Sequence, residues 1–215
     1  MKKLFTTLFA ISSLLSISAQ AKTEGSYAGI DLLRTNATFN ERFTDTQEDP
    51  ETRVATNVKP SFSGHSYGLG LNYKYALNFN GFFIAPGVFA ERNNNKFQGN
   101  FGQGLRVNNR YGVKADFGYD VTNKIAPYFT AGYSLIDYRT TNNHGNDVAS
   151  KSGNAGDWFY GLGLKLNVTE NVAMNLEYNT QNFAAKTAVP NNDIGYSGIY
   201  KTRLDVLKLG LSYGF

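Results

Sequence analysis

Apolar and polar residues alternate with a period of two along much of this chain, and the pattern is clearest where the chain ends. In the segment VLKLGLSYGF, from Val206 to Phe215, leucine or an aromatic residue occupies every second position from Leu207 onward. Lysine, glycine and serine fill the positions between. Because successive side chains of a β-strand point to opposite faces, one face of this strand is apolar and the other is small or polar. The pattern predicts a strand that separates two different environments.

Seven further segments carry the same alternation, so the sequence predicts eight strands in all. The eight predicted strands lie at about 26–36, 67–77, 82–92, 105–120, 127–139, 158–168, 171–181 and 206–215. In the segment at 105–120, Leu105, Val107 and Tyr111 are assigned to the apolar face. An even number of strands is what an antiparallel single-chain barrel needs when both chain ends lie on one side.

Composition decides which kind of membrane protein is compatible with this pattern. Of the 215 residues, 41% are apolar and 14% aromatic, yet the mean hydropathy is −0.36. After residue 21 no run of 18 or more apolar residues occurs, which excludes a bundle of membrane helices. A membrane barrel escapes this test, because its polar lumen-facing residues offset its lipid-facing ones in any window average.

The N-terminus has the features of a cleavable secretory signal. Lys2 and Lys3 give a basic start, and the stretch from Leu4 to Ile17 is mostly apolar. Ala19 and Ala21, separated by one residue, form the small-x-small pattern of a cleavage site. We expect cleavage after Ala21, so that residues 1–21 are the signal peptide and residues 22–215 the mature barrel. An uncleaved anchor helix is the alternative.

The chain contains no cysteine, which excludes a lipid-modified N-terminal cysteine and any disulfide.

The predicted connections alternate between long and short. Long polar stretches occupy 37–66, 93–104, 139–157 and 182–200, whereas short turns occupy 78–81, 122–124 and 169–171. Outer-membrane barrels show this asymmetry, with long loops outside the cell and short turns in the periplasm. The sequence therefore predicts an all-β fold, an eight-stranded antiparallel up-and-down transmembrane β-barrel with four long outer loops and three short periplasmic turns.

Together these features resemble the small outer-membrane β-barrel family that includes the OmpA transmembrane domain, the opacity-type surface proteins and porin-like members. The resemblance rests on the signal, the strands, the loop asymmetry and the alternating ending Leu209, Leu211, Tyr213 and Phe215. It implies a place in the outer membrane of a Gram-negative bacterium, surrounded by membrane lipid and lipopolysaccharide. It also implies that the barrel-assembly machinery reads those four residues as an insertion signal. The alternative is that Phe215 merely ends an apolar strand.

Charged residues are predicted to fill the lumen. The alternation places eleven of them inward: Asp31, Lys74, Glu91, Arg106, Arg110, Lys114, Asp116, Asp120, Lys165, Glu177 and Lys208. The interior of an eight-stranded barrel is just wide enough for side chains, so these cations and anions should form a cross-linked polar plug. A narrow ion path lined by the same charges is the alternative.

The same alternation puts Arg203 and Asp205 outward, so either they lie above the hydrocarbon or a bulge near Val206 changes the register.

The sequence offers little support for catalysis or for a cofactor. The two histidines, His65 and His144, fall in predicted outer loops and lack the partners of a catalytic triad. Asp147 and Asp157 are weak evidence for a metal site. The formal net charge of +4 comes without a basic cluster, so it does not indicate a nucleic-acid partner. We therefore expect no enzymatic activity, no cofactor and no bound metal.

The outer loops are then the expected sites of function. The first contains charges such as Glu41 and Arg53, and the fourth contains apolar and aromatic residues such as Phe183, Ile194 and Tyr196. Exposed residues of this kind on a rigid scaffold suit protein recognition. By resemblance to opacity-type surface antigens, we expect a structural or adhesin-like barrel whose loops contact host-surface proteins. The alternatives are a narrow porin that passes small ions or solutes, and a barrel that only stabilises the membrane.

Overall fold

The computed structural model describes residues 24–44, 62–93, 97–98, 104–144, 147–186 and 197–215. The predicted signal, including Ala19 and Ala21, lies outside these residues. Within the described ranges, no helix has the length and apolar character needed to cross a membrane. What the described residues form instead is a sheet.

Nine β-strands make up the described chain, and eight of them form one closed barrel. They are β1 (Gly25–Thr44), β2 (Phe62–Phe79), β3 (Phe82–Asn93), β4 (Phe97–Gln98), β5 (Gly104–Tyr119), β6 (Ile125–His144), β7 (Asp147–Asn167), β8 (Val172–Lys186) and β9 (Ser197–Gly214). The two-residue strand β4 pairs only with β5. All pairings are antiparallel, and the ring closes because β1 pairs with β9 and β3 pairs with β5. The predicted eight-stranded antiparallel barrel is confirmed.

The alternation in the sequence becomes the two faces of the barrel wall. On β2, the outward side chains of Tyr67, Leu69 and Leu71 are 68%, 64% and 63% exposed. Inward side chains such as Asp31 and Lys74 are buried. Large apolar side chains are exposed in the same way on all eight barrel strands. A continuous apolar surface of this kind is suited to lipid rather than to water.

Strand β5 departs from simple alternation at one point. Its register against β6 shifts between Val107 and Arg110, which marks a β-bulge. Beyond the bulge the two faces exchange, so that Leu105 and Val107 are only 1% and 0% exposed. Arg106, which lies between these two buried residues, is therefore on the outer face and is partly exposed. The predicted outward positions of Leu105 and Val107 and the predicted lumen position of Arg106 are wrong.

The outer ends of β6 and β7 form a long hairpin where a loop is predicted. The two strands pair without a break from Ile125↔Leu166 to His144↔Asp147. The predicted loop at 139–157 is therefore wrong. Strands of 20 and 21 residues exceed the 9–11 residues that a tilted strand needs to cross the hydrocarbon. Their outer parts need no apolar face, which explains why the alternation disappears there.

Two other predicted loops are shorter than the sequence indicates. Strands β1 and β2 extend into the stretch at 37–66, and strands β8 and β9 extend into the stretch at 182–200. The segments that remain between the strands, 45–61 and 187–196, lie outside the described residues. His65 lies within β2 rather than in a loop.

Short turns join the strands at the opposite end of the barrel. Between β2 and β3, Asn80 and Gly81 have φ angles of 54° and 91°. Two successive residues with positive φ are what a two-residue hairpin requires, and asparagine followed by glycine is the preferred pair. In the turn before β6, the Thr122 Oγ1 accepts a hydrogen bond from the backbone N–H of Ile125 at 3.1 Å.

The inward position of Gly163 allows a prediction about packing. A Cβ atom at this position would overlap the ring of Tyr128 inside the barrel. We expect Gly163→Ala to lower the free energy of unfolding by about 1–3 kcal/mol, the usual cost of overpacking. Urea titration of the folded protein in lipid vesicles measures this. Ala115→Val, a larger addition on the outer face of β5, is the matched control and should have little effect. Equal losses for the two variants would contradict the assignment of faces.

Candidate functional site

A chain of seven charged side chains with alternating sign crosses the barrel interior. In order of contact they are Lys74, Asp116, Lys114, Glu177, Lys208, Glu91 and Arg110. The six N···O distances lie between 2.6 and 3.2 Å, and none of these seven side chains is more than 8% exposed. A buried charge costs several kcal/mol unless it is paired. Each member of this chain touches at least one charge of opposite sign, and the five inner members each touch two.

Arg110 ends the row of charges and is the largest fully buried side chain among the described residues. Its Nη1 donates to Glu91 Oε2 at 3.2 Å, and its Nε donates to Gln181 Oε1 at 3.0 Å. The guanidinium carbon lies 5.2 Å from the ring centre of Phe89 and 4.5 Å from that of Phe159. The two aromatic rings therefore add cation–π attraction and exclude water from the Arg110–Glu91 pair.

Two apolar layers lie at the ends of this network. The layer toward the long hairpin consists of Leu33, Ala37, Leu105, Val107, Ile136, Tyr138, Phe183, Ala185, Leu204 and Val206. The layer toward the short turns consists of Tyr27, Ala76, Phe83, Ala85, Ala126 and Tyr128. Phe183, predicted to be exposed in a loop, is only 4% exposed and belongs to the first layer. Buried apolar side chains thus lie on both sides of the charges.

The space left between these charges is small. A cavity of about 10 Å³ is bordered by Asp31, Lys74, Lys114, Glu177 and Lys208, together with neutral polar neighbours. A volume of this size holds about one water molecule. Within the described residues, the side chains of the charged layer are therefore closely packed around this cavity.

Three further predicted lumen residues lie outside this set of six ion pairs. Asp31 is buried and accepts a hydrogen bond from Asn72 Nδ2 at 2.8 Å. Lys165 is also buried, with its Nζ 4.2 Å from the ring centre of Tyr27. Asp120 follows the end of β5, where it accepts a hydrogen bond from the Asn78 side chain at 2.8 Å. Arg106, on the outer face, takes no part.

The sequence prediction missed the neutral partners of the charges. Gln181 is the clearest case, since it accepts from Arg110 and from Ser134 Oγ, the latter at 2.7 Å. Asn179 donates to Glu177 Oε1 at 2.8 Å. The signal for both was present, because Asn179 and Gln181 have the same inward parity as Glu177.

The four C-terminal residues of the predicted assembly signal all lie on the outer face. Leu209, Leu211, Tyr213 and Phe215 are 46%, 49%, 55% and 71% exposed. They form an apolar stripe at the seam where β9 meets β1.

Arg203 and Asp205 continue the outer face of β9 beyond Leu207. The pairing of β9 with β1 and with β8 runs through this region without a register shift, so there is no bulge near Val206. Arg203 Nε lies 3.0 Å from Asp205 Oδ1, and Tyr178 Oη donates to the same oxygen at 3.1 Å. This arrangement fits the alternative in which the two charges lie above the hydrocarbon.

Potential metal and catalytic groups are sparse in the part of the chain that the structure describes. It contains no group of three or more histidine, cysteine, aspartate or glutamate residues that could hold a metal ion. His65 is exposed on the wall, with its ring centre 6.4 Å from that of Tyr67.

Comparison with known proteins gives the same architecture. The chain matches the family model described as outer membrane protein beta-barrel domain over residues 7–215. No curated protein sequence matches it. The outer membrane protein OprG from Pseudomonas aeruginosa has a TM-score of 0.56 at 15% identity, with 92% of this chain and 99% of that chain covered. The outer membrane protease OmpT from Escherichia coli has a TM-score of 0.55 at 10% identity, with 94% and 100% covered.

A third solved structure is Ail, the attachment invasion locus protein of Yersinia pestis. Its TM-score is 0.49 at 16% identity, with 89% of this chain and 99% of that chain covered. At these identities the structural likeness shows the fold alone.

The buried and exposed arginines allow a matched test of the lumen network. Arg110→Met leaves Glu91 with one cation instead of two and removes one of the two donors to Gln181 Oε1. We expect a loss of about 3–5 kcal/mol in the free energy of unfolding, typical of a broken buried pair. Arg203→Met removes an exposed ion pair and should cause no measurable change. Urea unfolding in lipid vesicles, followed by the fluorescence of Trp158, the one tryptophan of the chain, compares the two. Equal effects would contradict a stabilising role for the network.

Proposed function

The chain belongs to the outer membrane protein β-barrel domain family, and from that premise we propose that it is a plugged surface protein that acts through its extracellular side. It is a protein of the outer membrane. The proposed role is structural and adhesin-like, with the outer loops and the long hairpin in contact with host-surface proteins or other surroundings of a Gram-negative cell. We propose no catalytic role.

The close packing of the lumen is the observation that supports this proposal. Six ion pairs and two apolar layers fill the interior, leaving a cavity of about 10 Å³ among the charges. An ion could pass only if several buried pairs separated together, and each separation leaves an unpaired buried charge. The surface is therefore favoured over the lumen as the site of action.

The outer end supplies a rigid platform for such contacts. The hairpin of β6 and β7 is hydrogen-bonded from the barrel wall to His144↔Asp147. Its exposed positions beyond the apolar band include Arg139, Lys151 and Asn154. Binding residues are often carried on loops that a rigid scaffold positions, and a paired hairpin serves the same purpose.

Two contacts within the bacterial envelope belong to the same proposal. The outward stripe of Leu209, Leu211, Tyr213 and Phe215 suits recognition by the barrel-assembly machinery. Exposed cationic side chains on the outer face above the apolar band, such as Arg203, suit the phosphate groups of lipopolysaccharide.

Adhesion can be tested by replacing the segments at 45–61 and 187–196, one at a time, with short glycine–serine linkers. These replacements leave all barrel strands in place. We expect at least one of them to reduce the binding of protein-bearing cells to host cells, because the outer segments provide the contact. Asn123→Ser, in a short turn at the other end, is the control and should leave binding unchanged. Retention of folding is checked by heat-modifiable gel mobility. Unchanged adhesion for both replacements would count against the proposal.

A narrow porin is the second candidate, favoured by the continuous row of charges in the lumen. Planar-bilayer recording of the refolded protein distinguishes the two functions. We expect only brief, irregular current, because the ion pairs and the apolar layers block the path. A channel-forming porin recorded in the same membrane is the control. A stable open level for the wild-type protein would favour the porin over the plugged barrel.

A further inference from the structure

The barrel wall opens between β7 and β8 toward its outer end. The last pair between these strands is Phe159↔Gln181. Beyond it β7 continues to Asp147 paired only with β6, and β8 continues to Lys186 paired only with β9. Within the described residues, the segment 147–158 of β7 therefore has a strand on one side and none on the other.

The direction of the backbone groups on this edge follows from the other end of the strand. The N–H of Asn167 donates to the carbonyl of Lys124, on the β6 side, and the N–H of Val168 donates to the carbonyl of Val172, on the β8 side. In an antiparallel sheet both backbone groups of a residue point to the same side, and successive residues alternate. Even-numbered residues of β7 therefore turn their N–H and C=O toward β8. At the opening these residues include Ser150, Ser152, Asn154 and Gly156.

Side chains of the protein cap this opening only at its margins. The N–H of Trp158 donates to Asp157 Oδ1 at 2.7 Å. Across the opening, the N–H of Lys186 donates to Tyr138 Oη at 3.0 Å, and its carbonyl accepts from Thr140 Oγ1 at 3.1 Å. Among the described residues, no side chain caps the even-numbered backbone groups between 150 and 156. The middle of the edge thus presents a row of unpaired donors and acceptors.

The side chains around the edge define what could pair with it. Glycine, alanine, serine and asparagine dominate 149–156, so another backbone can approach at the strand spacing of about 4.8 Å. Four exposed cations surround the opening: Arg139 on β6, Lys151 on β7, Lys186 on β8 and Lys201 on β9. Two carboxylates also lie near the edge, and both already accept hydrogen bonds: Asp137, opposite Asn154 on β6, from Asn109 Nδ2, and Asp157 from the Trp158 N–H. The edge therefore combines backbone pairing capacity with a local excess of positive charge.

We propose that the free edge of β7, residues 150–156, binds an extended acidic peptide segment of a partner protein by strand addition. The edge supplies the ladder hydrogen bonds, and the surrounding cations select acidic side chains. A sulfated polysaccharide would use the cations but not the row of backbone groups. The inference rests on the proposed surface-contact function and specifies the chemistry of its partner.

Peptide binding to the full chain in lipid nanodiscs tests the inference. The probe is a fluorescent synthetic peptide of twelve residues with alternating glutamate and valine, and the readout is fluorescence anisotropy. Ser152→Pro removes one N–H that faces the opening and leaves the pairing with β6 intact, since proline is tolerated at the open side of an edge strand. We expect it to weaken binding about tenfold or more, which corresponds to about 1.4 kcal/mol. Ser152→Ala is the matched control and should bind as the wild type does.

A second proline variant and a second probe test the same inference independently. Asn154→Pro should reproduce the loss if Ser152→Pro fails to fold, as judged by gel mobility. A probe with N-methyl groups on alternate residues, which cannot pair along the edge, should not bind. The inference is overturned if the unmodified probe does not bind. It is also overturned if both proline variants bind like the wild type, or if heparin binds where the peptide does not. Because no cells are involved, failure here leaves the adhesion result standing. Unchanged adhesion for both segment replacements, together with normal peptide binding, contradicts only the broader function.

Discussion

The structure depends on the closure of a hydrogen-bonded ring. In lipid no water can satisfy the N–H and C=O groups of a sheet edge, so every strand needs a partner on each side. The first and last barrel strands, β1 and β9, close the ring by pairing with each other from Tyr27↔Gly214 to Thr44↔Ser197. Closure then fixes two faces, one toward lipid and one toward a lumen that has room only for side chains. Where the wall rises above the lipid, water replaces this requirement, and an edge such as that of β7 can remain open.

The lumen charges are stable because closure brings opposite signs into contact from strands distant in sequence. Lys114 on β5 meets Glu177 on β8, and Glu91 on β3 meets Lys208 on β9. Each charge alone would be expensive to bury, whereas an alternating chain leaves none without an opposite neighbour. The apolar layers on either side keep water away from these pairs. This close packing of the lumen is the reason why the function is proposed for the outer surface.

Period-two alternation predicted the strands and most of the lumen residues because one face of each strand meets lipid. It failed at Arg106, where a bulge exchanges the faces and no single residue signals the shift. It also failed in the hairpin above the membrane, where neither face meets lipid and the alternation is lost. The order of the ion pairs could not be predicted at all, since Lys114–Glu177 and Glu91–Lys208 depend on the register accumulated around the ring.

Amide hydrogen exchange of β1 and β9 in lipid nanodiscs, resolved by residue, tests ring closure most directly. If the ring is closed, every amide in 30–35 of β1 and in 204–211 of β9 has a ladder partner and should remain protected for hours at neutral pH. If the seam between these strands were open, every second amide on each strand would face it and exchange rapidly. Protection that alternates along β1 and β9 would therefore contradict the closed barrel.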